Sequence, residues 1–155
     1  MNPHKNSKTK ERILKKIKDK KGEEYLVFLE ETKKGNSKVT TINIKNKEGE
    51  NISTASLVET EKNGKKEARI TNVETKESYR KRGFADTALG FIEQEAFIKG
   101  HKKIGLISVN ERSNRMYSKR EYELIKGAMD RASEFRKKIT PKNFIDRTKV
   151  RKLKR

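Results

Sequence analysis

The hydrophobic positions along this chain change their period once, near Thr75. Ahead of it, residues 25–31, 39–45, 52–60 and 68–75 are short runs of apolar and β-branched side chains, the pattern of strands with a buried face. Between them stand turn-rich pieces: Lys34-Gly35-Asn36-Ser37, Lys47-Glu48-Gly49-Glu50 and Lys62-Asn63-Gly64-Lys65. Asn63-Gly64 is the strongest hairpin signal, because both residues tolerate positive φ. The first half therefore predicts an antiparallel meander. Beyond Thr75, Ala85, Ala88, Leu89, Ile92 and Ala96 recur at three- and four-residue steps and predict an amphipathic helix ending near Gly100. Residues 104–109 read as a short buried strand, 113–120 as a helix and 122–125 as a further strand. The same spacing rule predicts two more helices. One covers residues 10–20, with Ile13, Leu14 and Ile17 on a narrow stripe; the other carries Ala128, Ala132, Phe135 and Ile139 and stops before Pro141. A meander followed by alternating strands and helices is a mixed α/β (α+β) pattern, with a mostly antiparallel central sheet flanked by helices.

Composition narrows the class. A chain of 155 residues fits one domain. Its 30% hydrophobic and 41% charged residues leave some of it short of the apolar surface that would offset ordering entropy, and the termini are the candidates. With no cysteine there is no disulfide framework, thiolate zinc site or cysteine nucleophile, and no metal is expected. No apolar run approaches the roughly 18 residues of a membrane span, and the N-terminus lacks a signal-peptide core, so a soluble cytoplasmic protein is expected.

The net charge of +19 is unevenly spread. Residues 1–21 hold nine Lys or Arg against two acids, and residues 131–155 hold eleven against two, which leaves +3 for everything between. This predicts a nearly neutral core over residues 22–130 carrying a basic N-terminal arm (1–21) and a basic C-terminal helix and tail (131–155). The arms are either solvated segments or contacts for RNA or the ribosome.

Candidate chemistry begins at Arg80-Lys81-Arg82-Gly83-Phe84-Ala85, where a strand ends, a basic glycine-containing turn follows and a helix opens. Backbone N–H groups and the positive end of the helix dipole converge there, an arrangement suited to a pyrophosphate. Alone, such a turn is more often a solvated cap. The blocks around it carry the resemblance. Arg80, Gly83 and Ala85 match the Arg/Gln-x-x-Gly-x-Gly/Ala signature of the GNAT superfamily of acyl-CoA N-acyltransferases. Ile70-Thr71-Asn72-Val73-Glu74-Thr75 resembles that superfamily's fourth strand, and Asn110-Glu111-Arg112-Ser113-Asn114-Arg115-Met116-Tyr117 is similar to its Asn-x-Arg-Ala-x-x-Leu-Tyr block.

The resemblance implies a GNAT-like fold, acetyl-CoA as acyl donor and transfer of its acetyl group to an amine. It implies that the backbone of Thr71, Val73 and Thr75 binds the pantetheine arm, that the turn from Arg80 to Ala85 holds the phosphates, and that Asn110 and Arg112 belong to the cofactor-binding set. It places Tyr117 near the thioester sulfur as general acid. Glu67 resembles the catalytic glutamate of histone-type members, with Glu74 and Glu77 as rivals; His101, between helix and strand, reads as a surface residue.

Two departures shape the acceptor. Glu121-Tyr122 replaces the family's Gly-Phe, and only a short turn around Gly35 stands where most relatives insert two helices that wall the acceptor site. The resemblance then implies an open or partner-completed groove, suited to a macromolecular amine or to a homodimer. Repulsion disfavours polyamines and aminoglycosides, whereas protein amines, ribosome-associated substrates or aminoacyl-tRNA are favoured. The alternative is a basic nucleic-acid- or ribosome-binding protein whose GNAT-like fold is not catalytic.

Overall fold

The structure is a computed structural model and describes residues 8–108, 117, 119–120, 122–127 and 133–138. Its frame is an eight-stranded sheet: β1 (Lys8–Lys18), β2 (Glu24–Lys34), β3 (Ser37–Lys45), β4 (Asn51–Lys62), β5 (Lys65–Thr75), β6 (Lys103–Ser108), β7 (Glu123–Gly127) and β8 (Ser133–Lys138). The order is β1-β2-β3-β4-β5-β6-β8-β7. Among the described strands only β5 and β6 run parallel, joined by α1 (Phe84–Ile98), and the other pairings are antiparallel. The meander, the central helix and the strand after it thus stand where the hydrophobic pattern puts them. Asn63 and Gly64, with φ of 54° and 76°, make the hairpin turn between β4 and β5.

One face of the sheet carries the core. Tyr25, Val27 and Leu29 on β2, Ile42 and Ile44 on β3, Ala55 and Leu57 on β4, and Ala68 and Ile70 on β5 are buried in a single cluster with Ala88, Leu89, Ile92 and Ala96 of α1. The helix packs across β3, β4 and β5. On the opposite face the rungs are polar: Thr41 bonds Ser56 at 2.9 Å, and Thr54 donates to Asn43 at 2.7 Å. Among the described residues no helix lies on that face. β2 and β3 are linked by Gly35 and Asn36 alone.

Two predicted helices are strands. Residues 8–18 pair antiparallel with β2, with a register shift between Ile13 and Lys15. That bulge inserts one residue, so Leu14 packs against the core and Ile17 is 3% exposed although three positions separate them, while Ile13 is 56% exposed. A bulge in a strand has imitated helical spacing. The expected last helix is also overturned, because Ser133–Lys138 is the strand β8, inserted between β6 and β7. Its one inward position with a described side chain is Lys137, buried and bonded to Glu93, so its alternation does not show as a hydrophobic pattern. Ala128, Ala132 and Ile139 lie outside the described residues, as does most of the predicted helix 113–120, of which Tyr117 and Lys119 are described and helical.

Candidate active site

The site is built on the one parallel pair. β5 and β6 are in register only at Arg69–Gly105 and Ile70–Leu106. Beyond Ile70, β5 departs. Its ladder with β4 skips residues between Ser56–Thr71 and Thr54–Glu74, and Asn72 sits in this bulge with φ of 51°. From Thr71 to Thr75 the strand remains tied to β4 but has no described partner on its β6 side, so the two strands fork. Thr71, Val73 and Thr75 are half-buried along this free edge, and the Thr75 hydroxyl bonds Ser53 at 2.9 Å.

The fork ends on the basic turn. After a 3₁₀ turn at Glu77–Tyr79, Lys81 and Gly83 take left-handed conformations with φ of 63° and 86°. Gly83 is the N-cap of α1 and supplies no side-chain cap, so the first N–H groups of the helix keep no side-chain acceptor. The space where its Cβ would lie is open, leaving room for a ligand to approach the backbone. Arg80 donates from Nε to the Thr75 carbonyl at 3.2 Å, so its side chain folds over the end of β5. Phe84 is buried in an edge-to-face cluster with Tyr25 and Tyr79, which leaves its backbone rather than its ring for a ligand. Ala85 is half-buried.

Arg82 is engaged by the protein itself. Its guanidinium donates to Asp19 at 3.0 Å and lies against the rings of Tyr79 and Phe84. Asp19 also accepts from the backbone of Lys21 and Glu23 and from the Tyr25 hydroxyl. Burial would raise this carboxyl, but the Glu23 N–H, the Tyr25 hydroxyl, the Lys21 N–H and Arg82 outweigh it and hold it below the usual aspartate range. Asp19 thereby anchors the Arg80–Ala85 turn to the β1–β2 turn.

Tyr117 is 5% exposed, and burial pushes its hydroxyl up to about 12. Its carbonyl accepts from the N–H groups of Arg120 and Tyr122, and its ring meets that of Tyr122 edge-on at 5.8 Å. Both neighbours are fixed by α1. Arg120, 4% exposed, donates to Glu93 at 2.7 Å and pairs with Asp86; the Tyr122 hydroxyl donates to Glu93 at 2.9 Å, and Lys137 donates to it at 3.3 Å. One helix therefore carries the turn at its start and the anchor of the Tyr117 segment about 15 Å further along. Local pattern does not mark Asp19 or Glu93, because the contacts that tie them to the site, with Arg82 and with Arg120 and Tyr122, span 63, 27 and 29 residues.

The remaining candidates are placed as follows. Glu67 is exposed on β5, on the face away from α1, three residues before the fork. Glu74 and Glu77 are exposed at the far end of that strand and in the 3₁₀ turn. Asn110 and Arg112 lie outside the described residues. His101 is not a surface residue: it is 8% exposed and donates from Nε2 to Glu59 at 2.6 Å. No group of three or more potential metal ligands occurs among the described residues, and no described helix is long and apolar enough to cross a membrane.

With this geometry in hand, comparisons with known proteins converge. The profile of the acetyltransferase (GNAT) family matches residues 9–122. No curated protein matches the sequence. Among solved structures, the fold is similar to an acetyltransferase from Bacillus cereus (22% identity, 66% of this chain and 74% of that one, TM-score 0.60). It is also similar to the PaiA N-acetyltransferase of Thermoplasma acidophilum in complex with coenzyme A (17%, 64% and 60%, TM-score 0.56) and to NAA60 of Arabidopsis thaliana in complex with a bisubstrate analogue (13%, 66% and 76%, TM-score 0.53).

Proposed function

The chain belongs to the GNAT family of acetyltransferases, and from that premise we propose that it transfers the acetyl group of acetyl-CoA to an amine. The observation that carries the reading is the fork between β5 and β6 leading to the uncapped start of α1. These residues fit the donor. The free edge of β5 from Thr71 to Thr75 can hydrogen-bond an extended amide chain as a strand would. The N–H groups after Gly83, with Lys81 exposed beside them, can take the phosphates. Arg80 closes the end of β5, and Arg82 holds the turn's shape through Asp19. Asn110 and Arg112 complete the donor set in this reading. Acetyl-CoA supplies the activated thioester.

Tyr117 is the residue assigned to the departing sulfur. A phenol pushed up to about 12 keeps its proton against a thiol of ordinary pKa, roughly 8.5. Its contribution is therefore a hydrogen bond donated to developing negative charge rather than a net loss of its proton. Glu67 is assigned to the acceptor's proton, directly or through water, from the sheet face opposite α1. The two-residue link between β2 and β3 supports a large acceptor such as a protein amine or a ribosome- or RNA-associated amine, because no described helix walls that face.

The test is turnover with acetyl-CoA and the acceptors found by mass spectrometry of a lysate incubated with labelled donor. Tyr117→Phe is expected to lower kcat by about 10-fold or more while leaving the Kd for acetyl-CoA within about twofold, the signature of a bond made only in the transition state. Equal kcat for the two proteins would return Tyr117 to packing against Tyr122.

A further inference from the structure

A second feature lies at the other end of the parallel pair. A cavity of about 780 Å³ opens where the first residues of β5 run beyond the start of β6, between Lys65–Arg69, the segment Lys99–Leu106 and Arg136 of β8. The Arg80–Ala85 turn stands past the opposite end of β5, so this groove is not the donor site.

Its walls are cationic. Lys65, Lys66 and Arg69 come from β5, Lys102 and Lys103 from the start of β6 and Arg136 from β8; all six are exposed. Arg69, Gly105 and Arg136 are in register across β5, β6 and β8. The glycine leaves a gap between two arginines about two strand spacings, roughly 10 Å, apart. Among the described residues no carboxylate pairs with Lys65, Lys66, Arg69, Lys102 or Lys103. Lys99, by contrast, is already held by Glu31 at 3.2 Å. Among the described residues Glu67 is the one acid in the lining, and the nearby Glu59 is bonded by His101.

We propose that this groove binds a single strand of nucleic acid through its phosphates, independently of base sequence. The cations are spread over three strands rather than gathered on one point, and the volume far exceeds a lone phosphate, so the occupant is an extended polyanion. Arg69 and Arg136, two strand spacings apart across Gly105, can flank one phosphate chain lying over β6. Among the described residues no Phe, Tyr or Trp lines it, and the one imidazole, His101, is buried and held by Glu59, so the contact is electrostatic. Lys138 pairs with Lys103 at the groove's edge, and residues 139–155, which follow it, hold seven Lys or Arg against Asp146. Glu67, assigned above to the acceptor's proton, also lines the groove; the proposal rests on the cations alone and stands without acetyl transfer.

The test is fluorescence anisotropy of the full chain with labelled oligouridylate and oligothymidylate of about 20 nucleotides over a range of salt. Lys65→Ala/Arg69→Ala/Lys102→Ala removes three groove charges; Lys20→Ala/Lys21→Ala/Lys47→Ala removes three exposed charges elsewhere. The groove variant should lose about 10-fold or more in affinity at low salt, and its slope of log affinity against log salt should flatten by about 2, at about 0.7 per phosphate contact. The control variant should stay within about twofold of the parent in both. Equal behaviour of the two variants overturns the proposal, as does absence of oligonucleotide binding by the parent. Displacement of the strand by poly-glutamate as readily as by unlabelled oligouridylate also overturns it, since the groove would then take any polyanion. Circular dichroism and acetyl-CoA calorimetry on the same variants show that fold and donor site are intact, which separates failure here from failure of the acetyltransferase reading.

Discussion

Asp19 ties the β1–β2 turn to the start of α1 with four hydrogen bonds, one of them from Arg82, 63 residues away. Removing its charge leaves the Tyr25 hydroxyl and the Arg82 guanidinium without their anionic acceptor. Asp19→Asn should therefore cost about 1–3 kcal/mol in unfolding free energy and weaken acetyl-CoA several-fold through the loosened turn. Because its folded pKa lies below the unfolded value, this stabilisation is full above the ordinary aspartate range and fades as pH falls through the lowered pKa. Equal urea midpoints for variant and parent at neutral pH would contradict the anchoring role. At this scale the sequence is legible where a residue's own conformational freedom decides, as at Gly83 and Asn63-Gly64. It is silent where a residue matters through a distant partner, as with Asp19 and Arg82, Glu93 and Arg120, or His101 and Glu59.

The elements that local pattern reads well are those with an uninterrupted period. β2 alternates buried Tyr25, Val27 and Leu29 with half-buried neighbours, and α1 buries Ala88, Leu89, Ile92 and Ala96 at helical steps. β1 and β8 escape it for opposite reasons, a bulge that shifts the period and a buried lysine that hides it. The strand assignment of β1 has a sharp consequence, because a helical arm with Ile13, Leu14 and Ile17 on one stripe would value all three alike. In the strand, Ile17→Ala should cost about 2–4 kcal/mol, and Ile13→Ala less than about 0.5. Chemical denaturation of the two variants decides: similar small losses would restore the helical arm. The fork itself was half visible, since the resemblance places the donor along β5, whereas the bulge at Asn72 that opens it depends on register with β4.

Across the whole molecule, α1 joins the parts, holding the Gly83 turn at one end and the Glu93 anchor of Tyr117, Arg120 and Tyr122 further on. This buried cluster predicts a particular loss of stability in alkali. Burial pushes Tyr117 up to about 12; burial and then the Glu93 carboxylate push Tyr122 well above its ordinary value. Both groups are protonated in either state below about pH 10. Above it the unfolded chain loses these protons first, so stability should fall by up to about 1.4 kcal/mol per pH unit for each tyrosine until the folded pKa is reached. Urea midpoints that stay level between about pH 9 and pH 11.5 would contradict the buried arrangement.

Whether the fork and the turn at Gly83 hold acetyl-CoA is decided by isothermal calorimetry of the folded chain with acetyl-CoA. One binding site is expected. Gly83→Ala, which strains a left-handed residue but meets nothing within 4 Å, should weaken binding several-fold. Gly83→Glu, which adds a carboxylate facing the phosphates, should weaken it at least about 10-fold beyond the alanine variant. No heat from the parent protein, or equal affinities for the two variants, would contradict binding there.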